Sequence, residues 1–124
     1  MAYICQCVYI DVMDSSLFFD LLGDATRRRI LALLKSEGEL CVCELTEALG
    51  QIQPKVSRHL AVIREAGVVC VRREGTWSFY RLHESLPAWV SELLATLTTG
   101  AVPELAADRR RLKIMATRPV RCAA

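Results

Sequence analysis

Three glycines and one proline divide the middle of this chain more firmly than any other feature. Gly38, Gly50 and Gly67 each come after an apolar-periodic run, and Pro54 stands at the head of the last run. Glycine just past the final turn ends a helix, and proline is tolerated in the first turn. Residues 42–49 therefore read as a short helix with Val42, Leu45, Ala48 and Leu49 turned inward. The turn Gln51-Ile52-Gln53 leads to a second helix from Pro54 to about Ala66, with Val56, Leu60 and Ile63 as its buried stripe. Two short helices joined by a tight turn make a helix-turn-helix.

The flanks complete a larger pattern. Asp14-Ser15-Ser16 is a helix start, and a first helix is expected over Leu17–Leu22 with Phe18 and Phe19 partly buried. Gly23 breaks it, and Asp24 can cap a second helix to about Ser36, with Ile30, Leu33 and Leu34 on one face. Arg27, Arg28 and Arg29 fall in its first turn, where the helix dipole disfavours positive charge. They serve either a phosphate contact or a solvated face. Downstream, Val68–Arg73 is rich in β-branched residues, Glu74-Gly75-Thr76 is a hairpin turn, and Trp77–Leu82 is the return strand. The expected fold is mainly α with a β-hairpin wing, a winged helix-turn-helix.

After the wing, Pro87 begins a helix carrying Trp89, Val90, Leu93, Leu94 and Leu97, and an amphipathic segment runs from about Pro103 to Met115. This is more apolar surface than one small domain needs, and the chain as a whole is 52% hydrophobic. Small chains gain by burying more surface, so the terminal helices are read as the interface of a homodimer. Residues 1–12 are strand-like in composition, unlike the helical segment after them; they are either the native N-terminus or an extension ahead of a start at Met13. The organisation expected is an N-terminal extension (1–12), a winged helix-turn-helix with dimerisation helices (13–100), and a C-terminal helix and tail (101–124).

Net charge is only +2, but residues 1–50 carry −4, residues 51–81 carry +4 and residues 82–124 carry +2. The basic excess coincides with the second helix of the motif and the hairpin, which suggests a polyanionic partner more than the total does, though charge alone does not separate that from a solvated surface. No apolar run approaches the roughly 18–20 residues of a membrane helix, and no signal peptide is evident, so a cytoplasmic protein without membrane association is expected.

Six cysteines (5, 7, 41, 43, 70 and 122) are many for such a protein. In a reducing compartment they point to metal binding, redox chemistry or burial rather than to disulfides. Cys41 and Cys43 flank Val42 at the start of the first motif helix. Thiolates favour soft ions, and a helix N-terminus is expected to lower a cysteine's pKa. Residues i and i+2 on a helix do not face one another, so gripping one ion would distort the first turn. The alternative is two half-buried core cysteines. Cys70, between Val69 and Val71, reads as core.

On the second helix, Gln53, Lys55, Ser57, Arg58 and His59 cluster in the N-terminal half, the part that meets bases when such a helix enters the major groove. Arginine reads guanine and glutamine reads adenine, while lysine and serine often hold phosphates. Arg72, Arg73 and Thr76 on the wing are candidates for phosphate or the minor groove, whereas Trp77 and Tyr80 read as hairpin packing. No nucleophile–base pair, phosphate loop or paired catalytic carboxylates emerge, and Cys-x-Cys lacks a thioredoxin-like strand–helix context. An enzyme is not expected.

Glu39-Leu-Cys-Val-Cys-Glu-Leu45, Gln53-Pro-Lys-Val-Ser-Arg-His-Leu60, Arg64-Glu-Ala-Gly-Val68 and Trp77-Ser-Phe-Tyr-Arg-Leu82 together resemble the ArsR/SmtB family of metal-responsive winged-helix repressors, its arsenic-sensing branch above all. The likeness covers roughly residues 15–100. It implies a homodimer on double-stranded operator DNA, with trivalent arsenic or antimony as inducer and no catalytic cofactor. That branch often has a third cysteine three residues after the pair; here Thr46 stands there. The third ligand is left to Cys122, to Cys5 or Cys7 of either protomer, or to a small thiol. Cys5 and Cys7 also resemble the layout of a cadmium- and lead-sensing branch, and oxidation of the pair would make a redox-sensing repressor. A zinc sensor needs acidic and histidine ligands after the wing, where residues 87–99 hold only Glu92.

Overall fold

A computed structural model describes the backbone of Ile4–Cys5 and residues 13–119. The elements in chain order are β1 (Ile4–Cys5), α1 (Ser15–Leu22), α2 (Ala25–Glu37), β2 (Glu39–Cys41), α3 (Val42–Leu49), α4 (Gln53–Glu65), β3 (Val69–Glu74), β4 (Trp77–Leu82), α5 (Ala88–Thr96) and α6 (Leu105–Lys113). The fold is a winged helix-turn-helix, mostly helical with a small antiparallel sheet. Among the described residues no helix is long and apolar enough to cross a membrane.

The three arginines of α2 have an intramolecular purpose. A helix leaves its last carbonyls without partners. Arg27 donates to Leu21 O at 2.8 Å and Asp20 O at 3.1 Å, and Arg28 donates to Leu22 O at 2.5 Å, so both satisfy the C-terminal end of α1, where positive charge is favoured. Arg29 reaches the other way, to Leu49 O at 3.0 Å and to Asp108 of α6 at 2.7 Å. The phosphate-contact alternative for these residues is thus replaced by helix capping. Asp24 caps α2 as expected, accepting from Arg27 N at 3.1 Å.

Val56, Leu60 and Ile63 of α4 are fully buried beside Leu45, Ala48 and Leu49 of α3 and Ile30, Leu33 and Leu34 of α2. Each large apolar side chain so buried contributes about 1.5–3 kcal/mol. That shared core fixes α4 against α3.

The wing is part of a four-stranded antiparallel sheet in the order β1-β3-β4-β2. Glu74 pairs with Trp77 around Gly75, whose φ of 61° suits the first central position of a primed two-residue turn. β2, which periodicity did not announce, pairs with β4: Glu39 with Arg81, Leu40 with Tyr80 and Cys41 with Phe79. After α5 the chain turns through Gly100, at φ 125°, into α6. α6 packs on α3 within the same core, burying Asp108 and Leu112.

Candidate functional site

Two surfaces share one scaffold. The first is the N-terminal half of α4. Gln53, Ser57 and Arg58 are exposed and Lys55 is half-buried, so these four stand along the outer face with the apolar stripe behind them. Ser57, Ala61, Arg64, Glu65 and Tyr80 line a concavity between α4 and the wing. Arg73 is exposed on the wing and donates to Ser78 Oγ at 2.9 Å.

Two residues expected on that surface are placed elsewhere. Arg72 is only 6% exposed. It donates to both carboxylate oxygens of Glu39 and to Glu74, and its guanidinium lies 4.6 Å from the centre of the Phe79 ring. A phosphate would have to displace two carboxylates to reach it. His59 turns toward the start of α2, with Nε2 3.8 Å from Asp24 Oδ1. Burial holds the His59 imidazole below its ordinary pKa, against the pull of Asp24.

The second surface is the junction of β2 and α3. Cys41 ends the strand and is the N-cap of α3, 1% exposed; Cys43 lies in the first helical turn and is exposed. Both are free thiols. The expectation of a lowered pKa fails at Cys41. Burial pushes its thiol up to about 11, with the nearby charges of Glu44 and Cys43 adding to the rise. As N-cap, Cys41 sits inside the core beside a carboxylate rather than above the helix end in water.

Glu44 is the residue that sequence reading passed over. It is fully buried; Oε1 accepts from Cys41 N at 2.9 Å and Oε2 accepts from Arg118 Nε at 2.7 Å. Glutamate three residues after an N-cap is the capping-box position, which is the signal that marks it. Thr46, which stands where a third cysteine was looked for, has a buried hydroxyl with no hydrogen-bond partner among the described residues. Among the described residues no group of three histidine, cysteine or acidic side chains forms that could hold a metal ion. Cys7, Cys122 and the side chain of Cys5 lie outside the described residues. Cys70 is buried in β3 as expected, but it is disulfide-bonded, against the expectation of uncrosslinked thiols.

The sequence pattern described as "Bacterial regulatory protein, arsR family" matches residues 24–70, which span α2 to the start of β3. The chain is 46% identical over 109 residues to the arsenic resistance transcriptional regulator ArsR1 of Pseudomonas putida, covering 88% of this chain and 85% of that one. It is 50% identical over 103 residues to ArsR2 of the same organism, covering 83% and 90%. The crystal structure of the AntR antimony-specific transcriptional repressor superposes with a TM-score of 0.57 at 27% identity, covering 69% of this chain and 80% of that one. With a helix-turn-helix, a wing and a Cys-x-Cys junction on one scaffold, and relatives matched over most of their length, this chain belongs to the ArsR family of bacterial transcription regulators.

Proposed function

We propose that the protein is a transcriptional repressor that binds operator DNA as a homodimer and leaves it when trivalent arsenic or antimony binds Cys41 and Cys43. The observation that carries this reading is the position of Cys41. It is at once the last residue of β2, paired with Phe79 of the wing, and the cap of α3, which shares its core with α4. Drawing Cys41 and Cys43 together on one atom opposes the capped first turn of α3. A ligand that binds the distorted form better shifts the population away from the DNA-binding form, by linkage.

On the DNA side, Gln53, Lys55, Ser57 and Arg58 are the base- and phosphate-reading set, with Arg73 on the wing. For the dimer, Phe19 is 55% exposed and packs with Trp89 at 6.3 Å between ring centres, joining an apolar face of α1 and α5 on which Leu93 lies one turn beyond Trp89. A second protomer covering that face is the homodimer. The function is regulatory rather than enzymatic, and its setting is the cytoplasm, where the operator lies.

The test is an operator-binding titration with arsenite, antimonite, cadmium and zinc. Release by arsenite and antimonite at lower concentrations than by cadmium or zinc is expected. Release by oxidant alone, with no response to arsenite under reducing conditions, would transfer the assignment to a redox sensor.

A further inference from the structure

α4 starts on a residue ill suited to the end of a helix. Ile52 is its N-cap, with extended backbone at φ −75° and ψ 147° and no side-chain hydrogen bond to the helix. That position favours serine, threonine, aspartate or asparagine, whose side-chain oxygen satisfies one of the free amides. The same chain uses such caps elsewhere: Asp14 accepts from Ser16 N at 3.0 Å ahead of α1, and Asp24 accepts from Arg27 N at 3.1 Å ahead of α2. Ile52 gains little by packing either, because it is 71% exposed. Its carbonyl accepts from Val56 N at 3.2 Å, so the residue is fixed to the end of the helix. Just before it, Gln51 Nε2 donates to Thr26 Oγ1 of α2 at 3.2 Å, which ties the turn to the scaffold. Gln53 and Pro54, directly after it, are exposed as well.

A lone exposed isoleucine has no meaning by itself. Here an uncapped helix end, a large apolar side chain in water and a fastened turn coincide at the tip of the helix that enters the major groove. Among the four bases only thymine presents a methyl group in that groove, at C5, and apolar side chains recognise it by contact. We infer that Ile52 is a specificity-determining residue that packs on the C5 methyl of one thymine in each operator half-site, beside the base read by Gln53. The inference rests on the reading of the N-terminal half of α4 as the base-reading surface. A β-branched side chain on a fixed backbone has little rotamer freedom to lose when it docks. The contact takes two apolar surfaces out of water together, and it discriminates against cytosine, which has no methyl there and offers an N4 amine. A residue that breaks a local rule for helix stability is expected where it meets a ligand, and the DNA is the ligand at this end of α4.

The experiment uses a duplex that the full chain selects from a random-sequence pool, with its thymines replaced one position at a time by deoxyuridine, which lacks only the methyl group. The wild type should lose about fourfold in affinity at one position of each half-site, the worth of one buried methyl. Ile52→Ser should bind the unmodified duplex correspondingly more weakly and should show no further loss when that methyl is removed. Ile52→Val should keep the methyl dependence. Ile52→Ser also supplies the missing cap, so its urea midpoint should equal or exceed that of the wild type, whereas a merely structural isoleucine would lose stability and leave the methyl dependence in place. Methyl dependence at no position, or only at positions where Ile52→Ser leaves it undiminished, overturns the inference. Either result spares the reading of α4, which Arg58→Ala tests separately. A protein that selects no sequence from the pool overturns both.

Discussion

Arg72 and Glu39 are joined by a two-pronged ion pair, Nε to Oε2 at 3.1 Å and Nη2 to Oε1 at 2.8 Å, that crosses the sheet from β3 to β2. Between them lies Phe79 of β4, whose register partners are Arg72 on one side and Cys41 on the other. A further carboxylate, Glu74 at the wing turn, completes the grip on Arg72. The strand that ends in Cys41 is therefore fastened to the wing tip by side chains as well as by backbone pairing. A displacement of Cys41 has two physical routes to the DNA surface: through the α3–α4 core, and through this row across the sheet.

Breaking that row should cost stability. Removing one partner of a buried pair leaves charge without compensation, so Arg72→Ala should destabilise the fold by roughly 3 kcal/mol in urea denaturation. The double variant Glu39→Gln/Arg72→Met should lose less than Arg72→Ala alone. Equal losses would show that the carboxylate is indifferent to its partner.

The α6 clamp makes a parallel case. Asp108 is fully buried and holds both Arg29 and Arg111. Asp108→Ala strands two guanidinium groups against the end of α3 and should destabilise by about 3–5 kcal/mol. Hydrogen exchange should then rise in α6 before it rises in α4. Uniform exchange across the chain would mean that α6 is not a separately held element.

DNA reading divides the residues first grouped together. Arg58→Ala should weaken operator binding by roughly 1–3 kcal/mol, the worth of a base contact. Arg73→Ala should lower affinity on every sequence alike and reduce the salt slope by about one. His59→Gln should change operator affinity by no more than about 0.5 kcal/mol, because its side chain faces Asp24 instead of the groove. A large His59 effect with the fold intact would return it to the reading surface.

The helix-turn-helix and its wing were legible because glycine, proline and apolar period act locally. α3 spans Val42–Leu49 as the spacing requires, and Val56, Leu60 and Ile63 are the buried stripe of α4. β2 was not legible: three residues carry no period, and its pairing partner lies on another segment. The arginines misled for a related reason. Near a DNA-binding motif, positive charge suggests phosphate, but Arg29 is matched by Asp108, 79 residues away, and Arg72 by Glu39, 33 residues away. Charge type is local information, whereas charge partnership depends on the finished fold. The cysteine pair was visible as a candidate ligand site, but the buried carboxylate Glu44 beside it and the approach of Arg118 were not, since they depend on how the chain after α6 returns along α3.

The apolar face of α1 and α5 predicts a concentration-dependent assembly. Phe19→Glu places a charge where a second protomer is proposed to dock. Sedimentation at micromolar concentration should find a dimer in the wild type and a monomer in Phe19→Glu, with operator affinity falling in step. A monomeric wild type that binds its operator at full affinity would remove the dimer from the account.

The inducers should part company in their response to pH. Burial pushes the Cys41 thiol up to about 11, so the site presents a protonated thiol throughout the neutral range. A divalent cation must expel that proton, and its affinity should rise about tenfold per pH unit for each thiol proton displaced. Arsenous acid is itself neutral, and its hydroxides leave as water with the thiol protons, so no net proton is released. Raising the pH from about 6 to about 8 should therefore make cadmium a markedly better inducer while leaving the arsenite midpoint nearly flat. Operator release measured by fluorescence anisotropy at fixed ionic strength gives both curves. A cadmium midpoint that stays flat over that range, with arsenite binding weakening as the pH rises, would mean that Cys41 binds as a preformed thiolate, and the preference for a neutral inducer would lose its physical basis.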